Sequence, residues 1–180
     1  MTGSLSRVRF CLPAARSCAA IAALLLAGGG CVGYQLGSML PESLRTVYVP
    51  TIVNQTDEPL LEAEVTRALT SEIQFDGSLR MADAASADTV LEVRLLSYRL
   101  NPVAFQKEKN AAPTDYRAVL SASFVLRNQK TGAVLSESAR IQGDSEFETG
   151  SDLTRAKTDA APDVAKDLAK SIVSQMVEAW

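Results

Sequence analysis

The stretch 45–54 carries the strand formers Val47, Tyr48, Val49 and Ile52, and it is the first predicted strand. Pro50 has no N–H to give to a ladder, which demotes the far end of that strand to an edge or a bulge. The polar run Asn54-Gln55-Thr56-Asp57 reads as a turn whose side chains can cap a helix. The apolar period then changes from two to four. Leu61, Val65, Leu69 and Ile73 repeat with Ala68 beside them, while Glu62, Glu64, Arg67 and Glu72 take the other faces. That spacing predicts an amphipathic helix over 58–75, with Pro59 in its first turn and Asp76-Gly77 as its stop.

Residues 79–82 read as a short strand, followed by an Ala/Ser/Asp connection over 83–88. From Thr89 to Leu100 the alternation is of period two: Leu91, Val93 and Leu95 lie on one face, Glu92 and Arg94 on the other. This strand can extend past Pro102 to Phe105. A polar loop, 106–114, leads into the clearest strand, 115–127. There Tyr116, Ala118, Leu120, Ala122, Phe124 and Leu126 alternate with Arg117, Ser121, Ser123 and Arg127. Asn128-Gln129-Lys130-Thr131-Gly132 makes a tight return. Residues 133–142 then pair back, with Leu135, Ala139 and Ile141 opposite Ser136, Ser138 and Arg140. The acidic stretch 143–151 reads as a loop. Residues 152–180 read as helix: Val164-Ala165, Leu168-Ala169, Ile172-Val173 and Met176-Val177 recur every four residues, then Trp180. Pro162 means that this helix either starts at Ala161 or kinks there.

Two helices, each with one apolar stripe, and one set of strands make an α+β two-layer sandwich. Both helices are expected on one face of a mostly antiparallel four- to five-stranded sheet. The other face is expected to carry Arg117, Ser121, Ser123, Arg127 and Arg140, with Val119 and Val125 among them. A face so mixed in polarity offers a contact surface.

The start of the chain is of a different kind. Residues 1–30 hold Arg7, Arg9 and Arg16 and no acid, then an apolar run from Cys18 to Ala27, then Gly28-Gly29-Gly30 before Cys31. This is a positive n-region, an apolar h-region and a small-residue cleavage zone, and the run is too short for a span of about 20 residues. Residues 1–30 are therefore excluded from the fold, leaving 31–180 as a single domain. Two processing routes stand open: ordinary cleavage near Ala27 or Gly29, or cleavage before Cys31 with lipid attached to it. The second resembles the lipobox of bacterial lipoproteins, although Gly28 stands where Leu is usual. By the sorting rule of those lipoproteins, Val32 after the Cys implies the outer membrane. Residues 32–43 are a short lead-in ending in a turn at Pro41, so the domain is expected close to its membrane.

The whole chain has 18 basic and 21 acidic residues and a formal charge of −3. Without the three arginines of the signal, 15 basic residues face the same 21 acids, a charge of −6. An acidic chain of interspersed signs argues against nucleic acid as a partner. Cys11 and Cys18 lie in the signal, so Cys31 is left without a disulfide partner, and the chain has no His. Ser-His-Asp and Cys-His catalysis and the usual zinc sites are thereby excluded, and no metal site, cofactor or enzyme activity is expected.

Several short segments together resemble the lipopolysaccharide-assembly lipoproteins, LptE-like. They are Cys31-Val-Gly-Tyr-Gln-Leu-Gly, Leu40-Pro-Glu-Ser-Leu-Arg-Thr-Val-Tyr-Val-Pro, Asn54-Gln-Thr followed by Glu62, Ala87-Asp88-Thr-Val-Leu-Glu, and Thr131-Gly-Ala-Val-Leu. The resemblance covers nearly the whole of 31–180. It implies a lipid-anchored protein on the periplasmic side of the outer membrane, plugging an LptD-type β-barrel, assisting its assembly and contacting lipopolysaccharide. Lys107, Lys109, Arg117 and Lys130, at or near loop tips, are the candidate contacts for anionic lipid. Set against that, solvated turns commonly carry such residues, and Glu108 weakens the field between the two lysines. The alternative function is a periplasmic lipoprotein that binds and activates a peptidoglycan enzyme. Such activators usually carry a long tether, and little chain separates Cys31 from the fold.

Overall fold

A computed structural model describes residues 44–105, 113–148 and 152–178. Six strands and two helices follow in the order β1 (Thr46–Tyr48), β2 (Val53–Asn54), α1 (Leu61–Asp76), β3 (Arg80–Met81), β4 (Thr89–Phe105), β5 (Pro113–Asn128), β6 (Val134–Glu148) and α2 (Leu153–Glu178). The sheet runs β3-β1-β4-β5-β6, and β2 pairs with β4 beyond the end of β1. The long ladders β4–β5 and β5–β6 are antiparallel. The short strands β1, β2 and β3 all pair in parallel. Parallel neighbours need a crossover, and α1 supplies the one between β1 and β3.

Both helices seal one face of this sheet. Leu61, Val65, Leu69 and Ile73 of α1 and Val164, Leu168, Ile172 and Met176 of α2 are buried in one cluster with Val47, Leu91, Leu95, Leu120, Phe124 and Leu126. Each such side chain contributes about 1.5–3 kcal/mol by leaving water. The expected α+β two-layer arrangement is thus present, with six strands against the expected four to five.

Several boundaries differ from expectation, each for a local reason. The first strand is split, because 49–52, with Pro50, leaves the ladder between β1 and β2. Helix α1 begins at Leu61 and Pro59 lies outside it. Its N-cap is Leu60, at φ 67°, the one non-glycine with positive φ among the described residues. That conformation costs a side-chain-bearing residue roughly 1–2 kcal/mol. The residues expected to cap the helix are engaged in holding the preceding loop, as described below. At the other end Gly77, at φ 74°, donates its N–H to the Ile73 carbonyl, as expected of the stop.

Strand β6 continues to Glu148 through the expected loop. Residues 143–148 complete the ladder opposite Asp115–Leu120, and Gly143 lies directly under α2. A Cβ there would stand 2.2 Å from the Leu168 nitrogen. The Asp144 N–H donates to Asp167 Oδ2 of α2 at 3.0 Å, which fixes the contact further. The inward phase of β6 also differs: Ser136 opposite Leu126 is buried and Ala139 is exposed. Finally, α2 is continuous through Pro162. The cost of an interior proline, about 3 kcal/mol, is offset because Ala160, Ala161, Val164 and Ala165 around it are all buried.

A polar cluster ties the start of α2 to the other layer. Lys157 forms an ion pair with Glu58 and sits 5.4 Å from the centre of the Tyr98 ring, whose hydroxyl donates to the Lys157 carbonyl at 3.3 Å. Burial, and next the Glu58 charge, push the Tyr98 hydroxyl up to about 12.

Candidate functional site

The sheet face away from the helices is open. Its residues line up in rows across the three long strands: Ser97–Ser121–Gln142, then Arg99–Val119–Asp144, then Asn101–Arg117–Glu146. Two β-bulges interrupt this regular surface at the same level, one on each side of the central strand. In β4, Leu96 is the extra residue between Leu95, opposite Ala122, and Ser97, opposite Ser121. In β6, the register steps from Ser138, opposite Phe124, to Ile141, opposite Ala122. A bulge bends its strand and re-aims the side chains beside it.

At that level the face is hollowed into a pocket of about 250 Å³. Arg99 and Arg140 line it from opposite outer strands, with Ser97, Asn101, Val119, Ser121 and Gln142 between them. Ser121 is buried and accepts a hydrogen bond from Gln142 Nε2 at 2.9 Å. Among the described residues, neither guanidinium has a carboxylate partner. Asp144, the acid in the Arg99 row, faces Arg117 Nε at 3.6 Å instead. A larger groove, about 760 Å³, lies between residues 48–52 and α1. Its charged groups are already engaged, Glu62 by Asn54 and Arg67 by Glu64, so it lacks the smaller pocket's converging cations.

The contacts expected from sequence are distributed otherwise. Cys31, Lys107 and Lys109 lie outside the described residues. Arg117 is on the open face, where its guanidinium is bound by Glu146 and lies near Asp144; the hydrogen bond it donates to Glu146 leads in holding its pKa above the usual arginine value. Lys130 sits in the β5–β6 turn, its Nζ 3.5 Å from Asp88 Oδ1. From Arg117 to the turn end of β5 at Asn128 is about 36 Å at roughly 3.3 Å per residue, so these two cations belong to different ends of the sheet.

The model for the lipopolysaccharide-assembly family, LptE, matches residues 44–176. The chain belongs to the LptE family. Of solved structures, a Caulobacter crescentus structure described as a lipoprotein superposes with a TM-score of 0.51 at 13% identity, covering 76% of this chain and 91% of that one. A minor lipoprotein from Acinetobacter baumannii gives 0.48 at 13% identity, over 75% of this chain and 94% of that one. The rare lipoprotein B from Shewanella oneidensis gives 0.40 at 13%, over 74% and 92%. The first likeness concerns the fold alone, and the other two superpose too loosely to bear on it. No curated protein matches the sequence.

In this LptE-family chain several described residues in or beside the segments of resemblance are joints of the frame. Asn54 Nδ2 donates to the Glu58 carbonyl and to Glu62 Oε2, both at 2.8 Å, while its Oδ1 accepts from the Thr56 N–H at 2.9 Å and hydroxyl at 2.8 Å. This clamp fixes the loop between β2 and α1. Thr46 Oγ1 donates to Asp88 Oδ2 at 2.6 Å and accepts from the Asp88 N–H at 2.8 Å. Asn128 Oδ1 accepts from the N–H groups of Lys130 and Thr131 in the turn.

The pocket was only half visible in the LptE-family sequence. Val119, Ser121 and Arg140 fall on the face singled out from alternation, whereas Ser97, Arg99, Asn101 and Gln142 do not follow from it. The available signal is the Leu95-Leu96 doublet. An alternation that repeats a residue class has changed phase, and a bulge is the structural form of that change.

Proposed function

We propose that this chain is an outer-membrane lipoprotein, anchored through lipid on Cys31, that plugs and assists the assembly of an LptD-type β-barrel translocon and helps deliver lipopolysaccharide to the cell surface. The observation that carries the reading is family membership over residues 44–176. The architecture supports it. With the helices closing one face of the sheet, the other face presents Arg, Glu, Ser and Asn side chains over three long strands, a surface suited to the polar interior of a wide barrel. Among the described residues no helix is long and apolar enough to cross a membrane. Attachment by acyl chains at about 0.8 kcal/mol per buried methylene would fix such a domain at the membrane surface. The stretch from Cys31 to Leu44 reaches at most about 45 Å, which keeps it there. Lys107, Lys109, Arg117 and Lys130 are the cations that would meet anionic headgroups, Arg117 being already held by Glu146.

The test is a mild-detergent extraction of membranes carrying the C-terminally tagged chain, followed by mass spectrometry of what co-purifies. A stoichiometric outer-membrane β-barrel of translocon size is expected, and Cys31→Ala is expected to release the chain from the membrane fraction. A preparation free of any barrel but holding a peptidoglycan enzyme overturns the reading in favour of an enzyme activator.

A further inference from the structure

We propose that the hollow on the open sheet face is a binding site for a single phosphate-type oxyanion, gripped by Arg99 and Arg140 over the Ser121 hydroxyl. The inference deepens the proposed function by naming one recognition site, and it rests on that reading only for the source of the anion.

Three observations converge. The first is charge. Arg99 and Arg140 line a pocket of about 250 Å³, and among the described residues no carboxylate pairs with either. One anion in the pocket would answer both charges. Arg117, one row further along, shows the contrasting case, with its acids in place.

The second is the floor. Ser121 is only 3% exposed, and its oxygen already accepts from Gln142 Nε2 at 2.9 Å. Its own hydroxyl hydrogen has no protein acceptor among the described residues, so it is left to donate into the pocket. A buried donor without an acceptor is costly, about 1–3 kcal/mol, unless something fills that role. Val119 beside it is half-buried and apolar, which lowers the local dielectric and strengthens charge-assisted bonds. Every polar group here is a donor or can act as one, which suits an acceptor-only ligand such as a phosphate.

The third is construction. The two bulges that bring Ser97 and Arg140 into place lie at one level of the sheet, flanking Ala122. Without them, strict alternation would set the Arg99 side chain on the helix-covered face. Arg94 and Arg127 stand on the same face outside the hollow and, among the described residues, pair with no acid. They provide the control for charge without convergence.

The experiment uses the full chain, purified in detergent, and calorimetric titration with three probes: inorganic phosphate, a purified phosphorylated glycolipid, and the same glycolipid after enzymatic dephosphorylation. The variants are Arg99→Gln, Arg140→Gln, the double variant, and Arg94→Gln. We expect each pocket variant to weaken binding of the phosphorylated probe about tenfold or more and the double variant to abolish it. Arg94→Gln is expected to stay within about twofold, and all melting temperatures without ligand to match the wild type. Binding of the glycolipid that requires its phosphate and the two arginines assigns the site to a lipid headgroup. Binding of inorganic phosphate alone, with the same dependence on the arginines, supports the site and assigns it to a soluble anion. The proposal is overturned if the double variant binds like the wild type, or if Arg94→Gln loses as much as the pocket variants. A barrel that co-purifies with a double variant unchanged in phosphate binding removes the pocket and leaves the proposed function standing. An arginine-dependent phosphate site in a chain that recovers no barrel does the reverse.

Discussion

Replacing Gly143 by Ala inserts one methyl group between the sheet and α2 at the point of their closest approach. The new Cβ would stand 2.2 Å from the Leu168 nitrogen, 2.6 Å from its Cα and 2.7 Å from its Cβ. These are atoms of a helix backbone and its root, not the end of a side chain that could swing away. Ordinary contact begins near 3.4 Å, so the helix must lift by about 1.2 Å over β6. A radial gap of 0.5–1 Å already forfeits a quarter to a half of the dispersion well. Val164, Ala165, Leu168, Ala169 and Ile172, all at 0% exposure, lie on the face that would lift. The Asp144 N–H to Asp167 bond would open with it. Overpacking of this kind typically costs 1–3 kcal/mol, and an obstructed backbone belongs at the upper end, about 3 kcal/mol. For a domain of this size that is roughly a 6–12 °C fall in Tm, read by circular dichroism or by urea unfolding. Gly132→Ala is the control: it has φ 71° and nothing within 4 Å of the added Cβ, so it carries backbone strain of about 1 kcal/mol without the clash. If Gly143→Ala melts no lower than Gly132→Ala, the close approach of α2 to β6 is not as described and the reasoning fails.

Further outcomes follow from the polar joints. Asn54→Ala removes four hydrogen bonds from the β2–α1 loop and should cost about 2 kcal/mol in urea unfolding; an unchanged midpoint would show that the loop holds without its clamp. Asp88 is kept below its ordinary 3.8, first by the Thr46 hydroxyl and further by Lys130. A depressed carboxylate contributes stability above its unfolded value and loses it as the pH falls through the folded one. The Tm advantage of the wild type over Asp88→Asn should therefore be full at pH 7 and fade below about pH 4, and a pH-independent gap would contradict the assignment. Tyr98, raised to about 12 by burial and next by Glu58, should give an ultraviolet tyrosinate titration step near that pH that Tyr98→Phe deletes. Its contribution to stability is present below pH 10 and declines as the pH rises through the folded value, so the variant should also blunt alkaline unfolding between pH 10 and 12.

The elements that were legible in the sequence are those whose side chains repeat one pattern without interruption. Leu61, Val65, Leu69 and Ile73 give α1 its face, and Ala118 to Leu126 give β5 its phase, because each buried position obeys the period of its own backbone. The rest was hidden by contacts distant in sequence. Gly143, Asp144 and Ser145 have the composition of a loop, yet the ladder to β5 and the pressure of α2 hold them in a strand. Pro162 reads as a helix start or a kink, and with buried alanines before it the helix carries on through it. Leu60 has none of the chemistry of an N-cap. The residues that do, Asn54 and Thr56, are committed to the loop before it. The pocket was illegible for a related reason. It depends on two bulges facing each other across β5, and no single strand's sequence records that they lie at one level.

This separation has a functional consequence. Several residues in or beside the segments of sequence resemblance are hydrogen-bonded corners: Asn54 to Glu62, Thr46 to Asp88, Asn128 to Thr131. Each fixes where a strand meets a loop, and none lines the pocket. A chain can keep all of them, and so keep the frame, while changing which side chains the bulges carry. These corners hold the scaffold, and the shape of the open face is decided at the register shifts of β4 and β6. Arg99 and Arg140 line one pocket because β4 and β6, on either side of β5, each carry one extra residue beside the level of Ala122. Removing either bulge, with every family segment intact, would return a flat polar sheet without a place for an anion.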